Sequence, residues 1–280
     1  MPGERPVDAI GLIETDLFIE GVYRQFGIDY RGFDRHAMHA KLAALRERES
    51  VSCVSALQGK VLHDPAYARQ AMHYLSASGG AFLTCPSTFM ALRLAVLPVL
   101  RSQSWPVVWL AECTDPEFVV QVAVMLEQEG LLGKTQVFVT NANEDVLREL
   151  AALCLAPGAA ATAARAQSHA RGGAVQPLDA CLEENNGAVT LRAALRENIV
   201  WAQYDLASDA SFKEFHLIVC QRPLRDFALP LQRRALGIFS QSLANFGILQ
   251  LEPPVGVLGA DLARDFTCLL SEQGIYRKVP

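Results

Sequence analysis

Three residues whose side chains could take part in catalysis or binding follow an apolar run, VVWLA, at residues 107–111. They are Glu112, Cys113 and Thr114. A cysteine directly after a buried strand lies where a nucleophile could act. No histidine motif accompanies Cys113, so the sequence favours a packed thiol over a reactive one.

Two arginines, Arg222 and Arg225, follow a second apolar run, FHLIVC, at residues 215–220. Guanidinium groups at the carboxyl end of a strand could bind the phosphates of a nucleotide. They could also form ion pairs, for instance between Arg222 and either Glu112 or Asp226. Of these two interpretations we favour the ion pair.

The sequence gives little support for a metal site. His36 and His39 are one helical turn apart, but neither a cysteine nor a second acidic pair lies near them in the sequence, so no metal site is predicted. The seven cysteines are dispersed and form no CxxC pair. This usage indicates reduced, mostly buried thiols rather than a disulfide framework or a zinc site.

The loop after the first apolar run lacks the residues that usually hold a nucleotide. The chain contains no P-loop, no GxGxxG and no GxSxG motif, and residues 112–117 read ECTDPE, without a glycine. At such a turn, glycine allows the backbone to approach a nucleotide-like cofactor closely.

The elements that must position these residues change character at Pro106. Before it, residues 8–101 show helical periods, with Asp34 and Asp64 as N-caps and with Ile10, Ile13, Leu17, Val22 and Phe26 marking the first helix. After it, apolar strands alternate with helices, which predicts an α/β fold with a parallel, doubly wound sheet. The strands are predicted at 107–111, 136–140, 198–202, 215–220 and 246–252, with helices at 117–130, 143–155 and 229–243.

Ligands of such sheets bind at the carboxyl ends of the strands. That rule directs attention to residues 111–117, 140–143, 203–206 and 220–226.

Length and charge narrow the function classes. The chain has 280 residues, a net charge of −5 and 51 % apolar residues, which excludes a largely disordered chain and argues against a dominant nucleic-acid surface. We expect a helical domain at 1–101 and an α/β domain at 106–280, with an Ala/Gly-rich insertion at about 156–175. Without a signal peptide or a membrane span in the sequence, we expect a cytoplasmic protein.

Several segments resemble the CheR-type chemoreceptor glutamate O-methyltransferases. From Val108, VWLAECTDPEFVVQVAVMLEQEGLLGKTQVFVTNANEDVL is similar to the family pattern WxAGCSTGEExYSxAxxLxExGL…ATDINEEVL. From Phe212, FKEFHLIVCQRPLRDFALPLQRRALGIFSQSLANFGILQLEP is similar to FDLILCRNVLIYFxxxLQxRVLxLFxxSLxPGGxLxLGxSE. Shorter similarities join RENIVWAQYDLASDASF to NVxFxxHNLxxD and LSASGGAFLTCPSTF to LSxxxTxxFRDPxxF.

The resemblance covers nearly the whole chain and identifies a degenerate member of that family. It implies an N-terminal helical domain, then a class I SAM-methyltransferase-like (Rossmann-like) doubly wound sheet, with a β-subdomain in the aromatic-free stretch 151–200. Family members transfer a methyl group from S-adenosylmethionine (SAM) to receptor glutamates. The positions implied for SAM binding are Glu112, Cys113, Thr114, Asn141, Asp205 and Arg222.

At these positions the sequence departs from the family pattern. Glu112 stands at the family's first glycine, where its side chain would crowd the cofactor and its charge would oppose the cofactor's carboxylate. Pro116 removes a backbone N–H. Asn141 replaces the acidic residue that would hold the ribose hydroxyls, and Asp205 replaces an asparagine near the adenine.

The catalytic side departs as well. The family's TxxFR threonine and arginine are Gly80 and Thr84, the CRN asparagine is Arg222, and the IYF tyrosine is Asp226. Of the arginine-rich triplet that faces the acidic receptor, Lys41 remains as the only cation.

We therefore expect a CheR-like pseudo-methyltransferase with no catalytic residues and no cofactor. It would be a protein-binding module in bacterial chemosensory-type signal transduction, with a chemoreceptor, a kinase complex or an active paralogue as partner. The alternative is an active SAM-dependent protein-glutamate O-methyltransferase with a divergent pocket, in which Thr114, Asn141 and Asp205 hold SAM.

Overall fold

The computed structural model describes residues 9–77, 81–155, 181–185, 188–253, 255 and 259–280. The insertion predicted at 156–175 and the position of Gly80 lie outside the described residues. The chain divides into two compact units, residues 1–77 with 225–232 and residues 78–224 with 233–280. The predicted boundary at 101–106 follows the change from helices to strands, whereas this division groups residues 81–101 with the sheet.

Four helices form most of the first unit: α1 (Ala9–Phe26), α2 (Arg35–Arg48), α3 (Val54–His63) and α4 (Pro65–Ser76). Both predicted caps are confirmed. Asp34 accepts hydrogen bonds from two backbone N–H groups of α2, and Asp64 does the same for α4. These N–H groups belong to the first helical turn, which has no intrahelical acceptor for them.

The apolar period of α1 predicts the helix correctly but not its buried face. Ile10, Ile13 and Leu17 are 71, 57 and 56 % exposed. The core side chains of this helix include Phe18 and Val22. Because α1 carries apolar residues on two faces, tertiary packing decides which face is buried.

Residues 225–232 join the first unit from the C-terminal half of the chain. The Asp34 N–H donates to the carbonyl oxygen of Asp226 over 2.8 Å. The rings of Phe33 and Phe227 meet edge to face, with centroids 5.1 Å apart. This segment is therefore part of the packing of the helical unit.

The second unit is an α/β structure. Its helices are α5 (Ala81–Thr84), α6 (Pro86–Arg101), α7 (Pro116–Gln128), α8 (Glu144–Ala151), α9 (Leu229–Ser242, which begins within residues 225–232) and α10 (Gly259–Asp265). Its strands are β1 (Val107–Ala111), β2 (Gln136–Asn141), β3 (Cys154–Leu155), β4 (Leu182–Asn185), β5 (Ala188–Leu191), β6 (Ile199–Gln203), β7 (Phe215–Cys220), β8 (Leu243–Gln250), β9 (Phe266–Leu270) and β10 (Ile275–Lys278).

The main sheet has the order β6-β2-β1-β7-β8-β10-β9, and β3, β5 and β4 form a small antiparallel sheet. Neighbouring strands from β6 to β8 are parallel, and β10 is antiparallel to both of its neighbours. A mostly parallel α/β sheet is thus confirmed. Every residue of β1 is buried, as expected for a strand covered on both faces.

Most predicted strands agree closely with the structure, but two regions differ. The helix predicted at 143–155 ends at Ala151, because Leu153 takes a φ of +49° and the chain then enters β3. Strands β9 and β10 have no counterpart among the predicted strands. The sequence of β9, FTCLL, does not alternate between apolar and polar residues, and four of its five residues are exposed.

All seven cysteines are free thiols. Three of them are buried (Cys113, Cys181, Cys220), two are half-buried (Cys53, Cys85) and two are exposed (Cys154, Cys268). The expectation of mostly buried thiols is therefore wrong. Within the described residues, no helix combines the length and the apolar character needed to cross a bilayer.

Candidate functional site

The predicted site residues gather at the carboxyl edge of the main sheet. Strand β1 lies between β2 and β7, so the connections after β1 and β7 leave the sheet at the point where the strand order reverses. In open α/β sheets this switch point is where ligands bind. Glu112 follows β1 directly, and Arg222 lies two residues after β7.

Glu112 and Arg222 meet across this switch point. The Arg222 Nε donates to Glu112 Oε2 over 3.0 Å, and the two side chains are only 2 % (arginine) and 7 % (glutamate) exposed. The ion pair that the sequence favoured is thus confirmed, with Glu112 as partner. The other candidate partner, Asp226, has its Oδ2 3.1 Å from Lys41 Nζ.

The backbone at Glu112 has the conformation of a glycine. Its φ is +51°, in the left-handed region that side chains with a Cβ rarely adopt. A non-glycine residue there costs about 1–2 kcal/mol unless its surroundings hold it. The buried contact with Arg222 is one interaction that holds it.

Gln221 ties the loop after β1 to the end of β7. Its side-chain Oε1 accepts hydrogen bonds from the N–H groups of Thr114 (2.7 Å) and Asp115 (3.2 Å), and its own N–H donates to the carbonyl of Ala111. Sequence reasoning missed Gln221. Its place beside Arg222, directly after an apolar strand, is the signal that could have found it.

Asn141 ends β2 and uses both ends of its amide within the protein. Its Nδ2 donates to the carbonyl oxygen of Cys113 over 2.9 Å, and its Oδ1 accepts from the N–H of Asn143 over 2.8 Å. The side chain is 2 % exposed. The residue expected to contact a ribose therefore acts as a brace between the loops after β1 and β2.

Asp205 lies after β6, one residue beyond Tyr204, whose N–H donates to the Asn141 carbonyl. Its Oδ1 accepts from the N–H of Ala207 over 2.8 Å, in a local turn. The structure thus brings Asp205 to the same edge of the sheet.

The Cys113 thiol lies in an apolar setting. Its side chain is fully buried, and burial raises the pKa of the thiol well above its ordinary value. A thiol with a raised pKa carries little thiolate at neutral pH. The prediction of a packed thiol is confirmed.

Two carboxylates stand where α7 begins. The Asp115 side chain caps the helix by accepting from the N–H of Glu117 over 2.8 Å. Burial raises the pKa of Asp115, and burial followed by the charge of Asp115 raises the pKa of Glu117. A helix N-terminus favours anionic ligands, but here the chain's own carboxylates occupy it.

Replacing Asp115 by Asn is expected to stabilise the protein at pH 7 by up to about 1 kcal/mol, because Asn caps the helix as well as Asp and carries no buried negative charge. The folded pKa of Asp115 lies above its unfolded value. The stability it contributes is therefore complete below the unfolded pKa and is lost as the pH rises through the folded pKa. Urea unfolding at pH 7 and pH 3 tests this, and an equal gain at both values would contradict it.

The cations of α2 are engaged within the first unit. Arg35 pairs with Asp16, and Lys41 with Asp226. His39 Nδ1 lies 3.1 Å from the hydroxyl of Thr15. Among the described residues, no three His, Cys, Asp or Glu side chains are grouped as metal ligands.

The residues at the switch point do not fit SAM in this arrangement. The loop after β1 offers no glycine, and the Glu112 side chain is buried against Arg222 between the ends of β1 and β7. Both polar ends of the Asn141 side chain are bonded inside the protein, and no carboxylate stands at the end of β2.

Comparison with known proteins places the chain in a family. No family model matches it. It is 32 % identical over 281 residues to "Putative methyltransferase Cher3" of Pseudomonas putida, covering 99 % of this chain and 100 % of that protein.

Solved structures give more distant matches. N-methyltransferase NodS of Bradyrhizobium japonicum, in complex with S-adenosyl-L-homocysteine, matches at 11 % identity and a TM-score of 0.37, over 75 % of this chain and 97 % of that one. A TehB-like SAM-dependent methyltransferase of Corynebacterium glutamicum matches at 12 % identity and a TM-score of 0.33, over 66 % and 85 %. Because its relative matches along the full length of both chains at 32 % identity, the chain belongs to the family of CheR-like methyltransferases.

Proposed function

We propose that this chain is a CheR-like pseudo-methyltransferase that acts as a protein-binding module in the cytoplasm, within bacterial chemosensory-type signal transduction. The observation that carries the proposal is the buried Glu112–Arg222 ion pair at the switch point of the sheet. It lies where a cofactor would enter, while the strands and helices around it keep the family's architecture.

The size of the losses supports a cofactor-free protein. A micromolar affinity corresponds to about −8 kcal/mol, and each lost hydrogen bond to a charged group removes roughly 1.5–3 kcal/mol. Asn141 in place of the ribose carboxylate removes one such interaction, and Glu112 adds both bulk and a like charge at the position of the glycine, so a large part of that affinity is lost. Methyl transfer depends chiefly on holding the methyl donor in position, so a protein that does not hold SAM retains little catalysis.

The proposed partner is a signalling protein: a chemoreceptor, a kinase complex or an active paralogue. The fold is kept while the residues of the cofactor site are replaced, which favours a role in binding another protein through the surface. For the helical unit, Arg35 and Lys41 are already paired with Asp16 and Asp226, which favours a docking mode that does not depend on free cations of α2.

Calorimetric titration of SAM and of S-adenosylhomocysteine into the ligand-free protein tests the central claim. We expect no binding heat up to millimolar ligand, whereas an active family member run in parallel gives saturable binding. Incubation with purified chemoreceptor and radiolabelled SAM should give no base-labile methyl ester. Micromolar binding, or methyl transfer at ordinary turnover, would overturn the proposal.

An active methyltransferase is the second candidate, favoured by the full-length similarity to a protein named as a methyltransferase. In that case the ion pair opens on binding, and Thr114, Asn141 and Asp205 contact SAM. Saturable SAM binding that Asn141→Ala weakens would support it, and absence of binding at millimolar SAM would reject it.

A further inference from the structure

Two charged side chains of the chain itself occupy the space between the ends of β1 and β7, which we call the crevice. Glu112 comes from the end of β1 and Arg222 from the end of β7, so the pair bridges the two connections between which ligands of such sheets bind. Their side chains carry one negative and one positive charge and are almost completely buried. They place in the crevice the same two charges that an amino-acid zwitterion, such as the methionyl end of SAM, would bring.

The loop keeps a shape that does not need the glutamate. At φ +51° the backbone at residue 112 is in a conformation that glycine adopts without strain. Other hydrogen bonds hold the loop independently of the pair: the Cys113 N–H donates to the Thr140 carbonyl, and Gln221 Oε1 accepts from Thr114 and Asp115. Removal of both charged side chains therefore leaves the bonds that shape the loop.

We propose that Glu112 and Arg222 form a built-in plug and are the two residues that decide whether this crevice takes a small ligand. The proposal rests on the proposed function, since a plug matters only if the native chain does not bind SAM. The ligand class that the opened crevice would take is an adenosine-linked amino acid.

The test is a gain of binding. The double variant Glu112→Gly/Arg222→Asn removes the plug together with both of its charges, and it places at position 112 a residue suited to the positive φ. Glu112→Ala/Arg222→Ala is a second opening variant. Glu112→Gln/Arg222→Met is the matched control, because it removes the charges but keeps the bulk.

Calorimetry with S-adenosylhomocysteine provides the readout, and far-ultraviolet circular dichroism verifies folding. We expect the opening variants to bind with a Kd near or below 100 μM, at least ten-fold tighter than the native chain and the bulky control. That change corresponds to at least about 1.4 kcal/mol.

Each other outcome contradicts a different claim. If both opening variants fold but bind no more tightly than the bulky control, the plug is not what excludes the ligand. If both fail to fold, the pair is an integral part of the fold and not a separable plug. If the native chain itself binds at micromolar concentration, the proposed function fails first.

Discussion

Replacing Glu112 by Gln is expected to lower the free energy of unfolding by about 3–5 kcal/mol, because it removes the negative charge that is paired with the buried guanidinium of Arg222. The glutamine keeps the size of the side chain, so packing changes little. Chemical denaturation followed by circular dichroism measures the loss. The matched control is Glu117→Gln, at a half-buried carboxylate five residues further on, where the change is expected to stay below about 1 kcal/mol.

A double-mutant cycle separates the pair from its surroundings. Arg222→Met alone should also be costly, whereas the double variant Glu112→Gln/Arg222→Met should cost clearly less than the sum of the two single changes. An additive cycle, or a loss under about 1 kcal/mol for either single variant, would mean that solvent reaches the pair and that it does not close the crevice.

Replacing Asn141 by Asp is expected to destabilise the protein by roughly 2–4 kcal/mol at pH 7, because a buried donor becomes a buried anion. The Nδ2 that donates to the Cys113 carbonyl over 2.9 Å would be replaced by an oxygen that repels it. Burial would raise the pKa of the new carboxyl above its unfolded value. The loss should therefore shrink as the pH falls through that raised pKa, since a protonated carboxyl again donates.

The control is Asn143→Asp, two residues further on. Asn143 caps α8 by accepting from the N–H of Asp145 over 2.9 Å, and aspartate caps a helix equally well. We expect a change below about 1 kcal/mol there. Equal losses at both positions, or a loss at 141 that does not depend on pH, would refute the assignment of Asn141 as a brace between loops.

This second prediction also bears on the site. Asn141 stands where the family resemblance implies an acidic ribose ligand, and its amide supports the neighbouring loop. A single reversion to aspartate would therefore weaken the fold before it could help a cofactor.

The sequence alone predicts those parts of the fold that depend on local physics. Asp34 and Asp64 are followed by helices because their carboxylates satisfy the first N–H groups. Strands β1 and β7 have their predicted bounds because both are short apolar runs between turn residues. The buried face of α1 and the exposed strand β9 depend on tertiary partners, which local patterns do not encode.

For the candidate site, the sequence supplied the positions but not their partners. Two acids were candidates for Arg222, and the order of the strands decides between them, since it brings the ends of β1 and β7 together. Gln221 was missed because its role is to accept two backbone N–H groups of a loop more than a hundred residues away in the chain. Its place directly after an apolar strand marks it only as a candidate and does not reveal this contact.

Because residues 225–232 belong to the helical unit, two separate parts of the gene encode that unit. This arrangement limits how recombination can exchange it. The chain leaves the sheet unit after Leu224, completes the helical unit with Phe227 against Phe33, and re-enters the sheet unit at Arg233. In a recombinant that exchanged only residues 1–77 with a relative, the new helices would pack against Asp226 and Phe227 of the other parent. We therefore expect functional chimaeras to arise from crossovers that exchange both pieces together. The unit on which selection acts is discontinuous along the gene.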